Sequence, residues 1–492
     1  MPVDPHPPSA AIAALGAGAL SDALGRGELR SVEVVDALIG RIHALDAPET
    51  PTALRAVLEV SERALAEAAS SDTRRAHGAA LGPLDGVPVL VKDNIEVEGL
   101  ASCAGATALV DRPVPADASL VSSLRDAGLV VLGATNLSEW ANIRSEHSTS
   151  GWSALGGLCG NPWSLGRSAG GSSSGAAAAV AAGFAPLAIG TETDGSIVCP
   201  SSLCGVAGLK PAVGSVSRTG VVPISASQDS PGPIARSAAD VALLLGALFG
   251  ASLERADASE LRLGVARTWM TGHGATDAAF EQAITALAHE LGSLADREPP
   301  SPGEQEHEDE LTVMLCELSD GIDAYLARRG GEGPASFAQV VEFQAAHADV
   351  ELAHFGQDLF ERALSLGGRG GTAYGPARER NLAWARSACL EPTFEGLDVL
   401  LAPAWGPAWK SDLVLGDPGS PASPACRPAA IAGWPIATVP IALVEGLPVG
   451  VALVARPGGE AALVALAAAM ERAVGLLEDG SLSPAWAPPA RG

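Results

Sequence analysis

The spacing of apolar residues predicts the first element of the chain. Between Ser31 and Asp46 they recur at helical intervals, and Ser31 carries a side chain that helix N-caps favour. The residues that share this apolar side are Val34, Val35, Leu38, Ile42 and Leu45. A different pattern follows the turn sequence GPLDG at 82–86. The uninterrupted apolar run VPVLV at 87–91 is typical of a buried strand, and it ends at Lys92.

Helical and strand patterns then alternate. Residues 120–127 predict a helix, Gly128 ends it, and LVVLGATN at 129–136 predicts a second buried strand. This alternation is typical of an α/β protein. Near the C-terminus, 397–405 and 446–455 are again predicted strands, followed by a final helix through Met470 and a disordered Pro-rich tail at 481–492.

The strands at both ends of the chain flank a long helical stretch, predicted at 311–390 with glycine breaks at 330–333 and 367–371. One large sheet that is completed late in the chain therefore accounts for the pattern better than several independent units. We predict a single α/β domain over 1–492, with its most distinctive sequence at about 85–240 and the helical stretch on the substrate side.

Three segments depart from regular periodicity. Residues 145–175 are rich in Ser, Gly and Asn, predict a loop, and lead into an Ala-rich helix at 176–183. The uncharged run 169–191 is long enough to cross a bilayer, but its glycines, its proline and its alanine content favour a buried core helix. The acidic, Pro-interrupted sequence at 296–310 predicts a solvated excursion.

Composition narrows the range of functions. With 492 residues and 47% apolar content, the chain can bury a large core. Its formal charge of −26, without a cluster of Lys or Arg, argues against nucleic acids and anionic membranes as partners. The N-terminus lacks the basic residues of a signal peptide, and the cysteines form no CxxC pair, so free thiols in the cytoplasm are expected. The cysteines lie at 103, 159, 199, 204, 316, 389 and 426.

The candidate chemistry is concentrated in two loops that combine glycine with hydroxyl side chains. They read GGSSSG at 170–175 and DGSIVCP at 194–200. A serine needs a base beside it to act as a nucleophile, and no histidine accompanies either loop. A lysine kept neutral by burial can take that role, because burial lowers the lysine pKa. Lys92, at the end of a buried strand, is the candidate.

Together with VKDN at 91–94, these loops resemble the amidase-signature family. The resemblance is most specific over about 85–240, and GTETDGSIVCP at 190–200 with SQDSPGP at 227–233 is similar to its peptide amidase branch. The C-terminal third resembles the family more weakly, at 342–357 and 446–450. The resemblance implies an amidase-signature fold, with a large mixed β-sheet flanked by α-helices on both sides, and hydrolysis without a cofactor or a metal.

The same resemblance implies a role for each motif residue. Ser196 is then the nucleophile, Lys92 the ultimate base, and Ser172 the serine between them, on a cis peptide bond after Gly171. Ser173 is expected to orient Ser172 by a hydrogen bond. The oxyanion is expected to be bound by the backbone N–H groups of a four-residue turn, comprising Thr193, Asp194, Gly195 and Ser196.

Other residues near the motifs leave alternatives open. Val198 stands where many family members carry arginine, a feature that the peptide amidase branch shares. Cys199 offers a thiol nucleophile but has no histidine partner in its sequence context, so core packing is favoured. Asn142, His147 and Trp152 are the predicted substrate-binding residues, although a surface position for the histidine and core packing for the tryptophan fit equally well. Metal-ligand spacings such as HExxH are absent.

The sequence therefore predicts an amidase that hydrolyses carboxamide bonds through a Ser-cisSer-Lys relay and an acyl-enzyme, with ammonia released from C-terminal peptide amides. The alternatives are a broad aryl or aliphatic amidase or esterase, acyl transfer to an amine in biosynthesis, and, less favoured, the glutaminase subunit of a tRNA-amidating complex. The expected partner is a small-molecule or peptide amide substrate, and the expected assembly is a monomer or homodimer.

Overall fold

The structure is a computed structural model that describes residues 7–112, 114–254, 256–419 and 421–476. The predicted tail at 481–492 lies outside this range. Within the described residues, eleven strands form the main sheet, and four short strands form two ladders between 152 and 168. In chain order the strands are β1 Val57–Val60, β2 Pro88–Lys92, β3 Val130–Thr135, β4 Trp152–Ser153, β5 Gly157–Leu158, β6 Gly160–Asn161, β7 Ser164–Ser168, β8 Leu187–Glu192, β9 Ala207–Lys210, β10 Ser230–Ala235, β11 Leu263–Ala266, β12 Ala295–Arg297, β13 Val399–Pro403, β14 Ile436–Val444 and β15 Leu447–Ala455.

The main sheet is mixed. Its spatial order is β1-β3-β2-β8-β10-β9-β14-β15-β13-β11-β12. Strand β2 is parallel to both β3 and β8, whereas β8, β10, β9, β14, β15 and β13 pair in an antiparallel manner. At the far edge β11 is parallel to β13 and β12. The chain returns from the C-terminal third to complete this sheet, which confirms the predicted α/β fold with one large mixed sheet.

Helices surround the sheet. In chain order they are α1 Pro7–Ala14, α2 Ala17–Gly25, α3 Ser31–Leu45, α4 Ala64–Ala76, α5 Ser119–Asp126, α6 Ser174–Ala181, α7 Val198–Cys204, α8 Ala238–Phe249, α9 Gly274–Leu291, α10 Glu304–Arg329, α11 Phe337–Ala346, α12 Ala348–Glu351, α13 Asp358–Leu366, α14 Tyr374–Leu382, α15 Glu391–Thr393, α16 Cys426–Ala432 and α17 Glu460–Val474. A π-helical segment, Ala383–Leu390, joins α14 to α15.

The alternation of side chains in β14 and β15 shows how both faces of the sheet are covered. Ala437, Val439 and Ile441 join the cluster that contains the apolar side of α17. Ile436 points the other way, into a cluster shared with α16 and the π-helical segment. Both faces are therefore apolar, as expected for strands buried between two layers of helices.

Three sequence predictions need correction. Residues 169–191 hold helix α6 and then strand β8 instead of one core helix, because Gly183 and Pro186 end the helix after two turns. Residues 145–175 are largely buried and contain the two short ladders. The acidic excursion at 296–310 is instead strand β12 followed by the start of α10.

The start of α10 shows why acidic residues belong there. The Glu306 carboxylate accepts the Gly303 N–H at 2.8 Å, and negative charge is favourable in the first turn of a helix. Further along, Asp309 and Glu310 are buried and bind arginines from the C-terminal third: Arg380 Nε lies 2.8 Å from Asp309, and Arg427 Nε lies 2.6 Å from Glu310. The acidic residues therefore join this helix to the rest of the fold. Among the described helices, none is long and apolar enough to cross a membrane.

A glycine in the first turn of α6 offers a test of this packing. A Cβ atom at Gly175 would lie 2.3 Å from the Ala56 carbonyl oxygen and 2.7 Å from the Asn136 nitrogen. Both are backbone atoms, so relieving the overlap requires a shift of the main chain. We expect Gly175→Ala to destabilise the protein by about 1–3 kcal/mol, the usual cost of overpacking. Gly166→Ala is the matched control, because nothing lies within 4 Å of its Cβ position. Thermal unfolding at a fixed scan rate measures both variants, and equal midpoints would contradict the prediction.

Candidate active site

Lys92 is the last residue of β2, a strand that is buried along its whole length. Its side chain is fully buried, and Nζ donates to Ser172 Oγ at 2.7 Å and to Thr191 Oγ1 at 2.9 Å. Burial lowers the pKa of Lys92 to about 7, while the negative charges of Asp229 and Glu192 act in the opposite direction. At neutral pH a large fraction of this amine is therefore uncharged and able to accept a proton.

The loop that carries Ser172 approaches Lys92 through glycines. Gly170 has a φ of 73°, and its Cβ position lies 2.9 Å from the Pro200 Cα, so a larger residue does not fit there. The Gly171–Ser172 peptide bond is cis, as the sequence resemblance implied. Ser172 itself is completely buried. It thus presents its hydroxyl to Lys92 in an environment from which water is excluded.

Ser173 has a different set of partners from the one predicted. Its hydroxyl donates to the Thr191 carbonyl at 3.1 Å and accepts the Thr191 N–H at 3.2 Å, so it does not bind Ser172. Its own N–H donates to the Ser196 carbonyl at 3.1 Å. Ser173 therefore ties the first serine loop to the end of β8 and to the second serine loop, and its influence on Ser172 is through the backbone.

The second loop is the turn between β8 and α7. Ser196 is partly exposed, whereas Lys92 and Ser172 are buried. The predicted nucleophile is therefore nearest to solvent, and the predicted base and bridging serine lie behind it. Within the described residues, the N–H groups of the four predicted oxyanion residues, Thr193, Asp194, Gly195 and Ser196, donate to no protein acceptor. Free N–H groups in one turn beside a serine can stabilise an oxyanion.

Buried polar residues that the sequence analysis did not assign support this turn. Glu192 accepts the N–H groups of Ile197 and Val198 at 2.7 and 2.9 Å. Asp229 accepts the hydroxyl hydrogen of Thr193 at 2.6 Å. Both carboxylates stand inside motifs that carried the family resemblance, so the motifs signalled their importance, but their partners depend on strand pairing that periodicity does not specify.

The side of the turn that faces the C-terminal third is lined by an aromatic ring and an ion-pair network. The Cβ position of Gly195 is 2.9 Å from the Trp405 ring. Arg427 bridges two acidic residues, with Nη2 3.7 Å from Asp194 and Nε 2.6 Å from Glu310. Burial and the charge of Asp194 raise the pKa of Glu310, and the charge of Arg427 acts in the opposite direction. This part of the site was not predicted, because Arg427 is more than 200 residues from the turn in the sequence.

The predicted substrate-binding residues lie in different environments. Trp152 is 5% exposed and packs edge-on against His354 and Phe355, which agrees with the alternative of core packing. His147 is exposed on a loop next to Gly416. Asn142 has a left-handed backbone conformation, with a φ of 76°, and its side-chain oxygen is buried without a partner among the described residues. Among the described residues, no hydrogen bond or ring contact joins any two of these three side chains.

Cys199 lies in the first turn of α7, next to the candidate nucleophile. It is 6% exposed, and burial raises the pKa of its thiol well above the usual range. A thiol needs to ionise to act as a nucleophile, so this environment disfavours it. All seven cysteines are free and buried. Among the described residues, no three His, Cys, Asp or Glu side chains are grouped so as to hold a metal ion.

Comparisons with known proteins identify the family of this chain. The family model described as Amidase matches residues 33–464. A crystal structure of a peptide amidase with the competitive inhibitor chymostatin is 40% identical, with a TM-score of 0.88, and the match covers 94% of this chain and 98% of that one. The native peptide amidase from Stenotrophomonas maltophilia is 39% identical, with a TM-score of 0.86 and coverage of 94% and 97%.

A curated relative found by sequence comparison is not a peptide amidase but a subunit of an amidotransferase. A glutamyl-tRNA(Gln) amidotransferase subunit from Moorella thermoacetica is 34% identical over 482 residues, which cover 93% of this chain and 96% of that protein. Fold, site and comparisons together define a hydrolase that acts on amides. More particularly, the chain belongs to the amidase-signature family.

The buried lysine gives a direct test of the site's electrostatics. The sequence has lysine only at 92, 210 and 410, so an NMR titration of selectively labelled lysine side chains gives few signals. We expect the Lys92 signal to titrate near pH 7, because burial disfavours the ammonium form, and to be missing from Lys92→Met. Lys210→Met is the control for the second buried lysine and should retain the signal. Titration of Lys92 near the ordinary value of about 10.4 would contradict this prediction.

Proposed function

We propose that this protein is an amidase that releases ammonia from C-terminal peptide amides by serine catalysis. The observation that carries the proposal is the 2.7 Å hydrogen bond from Lys92 Nζ to Ser172 Oγ in a fully buried site, with Ser196 held beside it through Ser173. A neutral lysine and a second serine supply the base that Ser196 needs in the absence of a histidine.

In the first half of the proposed reaction, Lys92 takes a proton from Ser172, and Ser172 takes the hydroxyl proton of Ser196. The Ser196 oxygen attacks the amide carbonyl, and the N–H groups of the 193–196 turn bind the resulting oxyanion. The relay then returns a proton to the amide nitrogen. The C–N bond breaks, ammonia leaves, and the acyl group remains as an ester of Ser196.

In the second half, water replaces Ser196 as the group that is deprotonated. The relay accepts a proton from the water as it attacks the acyl-enzyme ester, and the second oxyanion occupies the same turn. Collapse of this intermediate releases the carboxylic acid and returns the proton to Ser196. One water is consumed for each amide, and one acid and one ammonia are formed, so no cofactor is required by this balance.

Two lines of support favour peptide amides within the amide hydrolases. The solved peptide amidases match nearly the whole chain at 39–40% identity, and the chain has the branch-like sequence GTETDGSIVCP around Ser196. The second line is that Trp405 and Arg427, both partly exposed, lie against the turn, where their side chains are able to contact a chain attached to the carbonyl.

The curated relative gives a specific reason to keep a second candidate. A glutaminase subunit of a tRNA-amidating complex would supply ammonia from glutamine and would need partner chains. We favour action on a substrate alone, in the cytoplasm, as a monomer or homodimer. The seven free buried thiols and the strongly acidic composition support that choice. Broad aryl or aliphatic amide hydrolysis and acyl transfer to an amine use the same relay and differ only in the substrate.

The proposed nucleophile is tested by Ser196→Ala. We expect kcat/KM for an amidated dipeptide to fall by about 10⁴-fold or more, because the acyl-enzyme cannot form. Cys199→Ala, in the first turn of α7, is the matched control and should retain activity. Ammonia release measures both variants. Full activity in Ser196→Ala with loss in Cys199→Ala would overturn the assignment of the nucleophile.

The substrate class is tested by the wild-type protein alone. We expect ammonia release from amidated dipeptides at a higher kcat/KM than from free glutamine or simple aliphatic amides. It should also exceed kcat/KM for anilides, which is measured by the aniline released. Size-exclusion chromatography of the active sample checks that no partner chain is needed. Release from glutamine only, or activity only after addition of a partner, would favour the glutaminase subunit.

A further inference from the structure

Two buried carboxylates hold the two ends of the turn that carries Ser196. Glu192 precedes the turn, and one of its oxygens, Oε2, accepts the N–H groups of Ile197 and Val198 beyond it. At the start of the turn, the Thr193 hydroxyl donates to Asp229 Oδ1 at 2.6 Å. The turn thus has a carboxylate anchor on each side, while its own N–H groups stay free for substrate.

Asp229 is fixed by a second set of bonds. Its Oδ2 accepts the N–H groups of Ile224 and Ser225, both at 2.9 Å. Among the described residues, neither Asp229 nor Glu192 has a Lys, Arg or His nitrogen within ion-pair distance. The more distant charges of Lys210 and Arg218 act on Glu192 and Asp229 respectively. Burial raises the pKa of both carboxylates, that of Asp229 to about 6, and their hydrogen bonds act in the opposite direction because they stabilise the ionised form.

The negative charges of Asp229 and Glu192 act on the amine of Lys92. Asp229 and Glu192 both favour its ammonium form, against the effect of burial. The other titratable neighbour in sequence, Asp93, directs its carboxylate to the N–H groups of Cys103 and Gly105. The remaining contacts of Lys92 Nζ, with Ser172 and Thr191, are uncharged.

We propose that Asp229 and Glu192 are positioning residues with two coupled tasks: they hold the turn that carries Ser196, and they set the negative charge opposite Lys92. This inference rests on the proposed relay. One pair of carboxylates thereby serves both ends of the relay, the nucleophile and the base. Without them the buried amine would have a still lower pKa and would be a weaker base, since base strength falls with pKa.

The test uses variants that keep the shape and the hydrogen bonds but remove the charge. In Asp229→Asn the amide oxygen can accept the two N–H groups and the NH₂ can donate to the Thr193 hydroxyl. In Glu192→Gln the amide oxygen can replace Oε2, and the NH₂ takes the place of Oε1, which has no partner in the described residues. We expect the acidic limb of kcat/KM against pH to move to lower pH by about 0.5 to 1 unit in each variant.

Asp46→Asn is the matched control. Asp46 is also a buried carboxylate, its Oδ2 accepts the N–H groups of Ala56 and Val57 at 2.9 and 2.8 Å, and burial raises its pKa to about 6. It is not among the charges that act on Lys92. We expect the acidic limb of Asp46→Asn to coincide with that of the wild type. If it moved as well, the shift would be a general effect of removing a buried carboxylate.

The anchoring task has its own readout. Thr193→Val removes the donor to Asp229, so kcat should fall while KM stays close to wild type. Thr193→Ser, which keeps the hydroxyl, should lose less. The inference is overturned if Asp229→Asn and Glu192→Gln leave the limb unmoved, or if Asp46→Asn moves it equally. These outcomes differ from failure of the relay itself, which Ser196→Ala reports separately.

Discussion

The site depends on one hydrogen bond, between Lys92 and Ser172, made where water is excluded. In water a lysine is protonated at neutral pH and cannot act as a base. Full burial at the end of β2 reverses this preference, and it requires apolar packing along the whole strand and polar partners for every hydrogen that remains. Ser172 and Thr191 supply those partners. The large sheet is what makes such burial possible.

The same constraint accounts for the polar residues around the site. A turn with free N–H groups is unstable unless its neighbours are held. Buried carboxylates do this with short bonds to the backbone after the turn and to the hydroxyl of Thr193. Charge that is buried for positioning also acts on the lysine, because the interior screens it poorly. In the proposed relay, Glu192 and Asp229 therefore have both a structural and an electrostatic task.

Local patterns were sufficient to predict some elements and misleading for others. Helix α3, strand β2 and the return of the C-terminal third to the sheet were predicted, because each has a local pattern with one interpretation. Strand β8 was taken for part of a helix, since its uncharged sequence follows an alanine-rich helix without a change in hydrophobicity. The 296–310 segment was taken as solvated because Asp309 and Glu310 find their arginines only in the folded chain.

The sequence by itself determined the α/β class, the family and the motif residues Lys92, Ser172 and Ser196, because glycine loops, hydroxyls and a strand-end lysine are local features. Only the tertiary structure decided what these residues touch. The bond from Lys92 to Ser172, the tie from Ser173 to Ser196 and the carboxylate anchors join segments up to 80 residues apart. Strand order brings these segments together, and strand order follows from the pairing of the whole sheet.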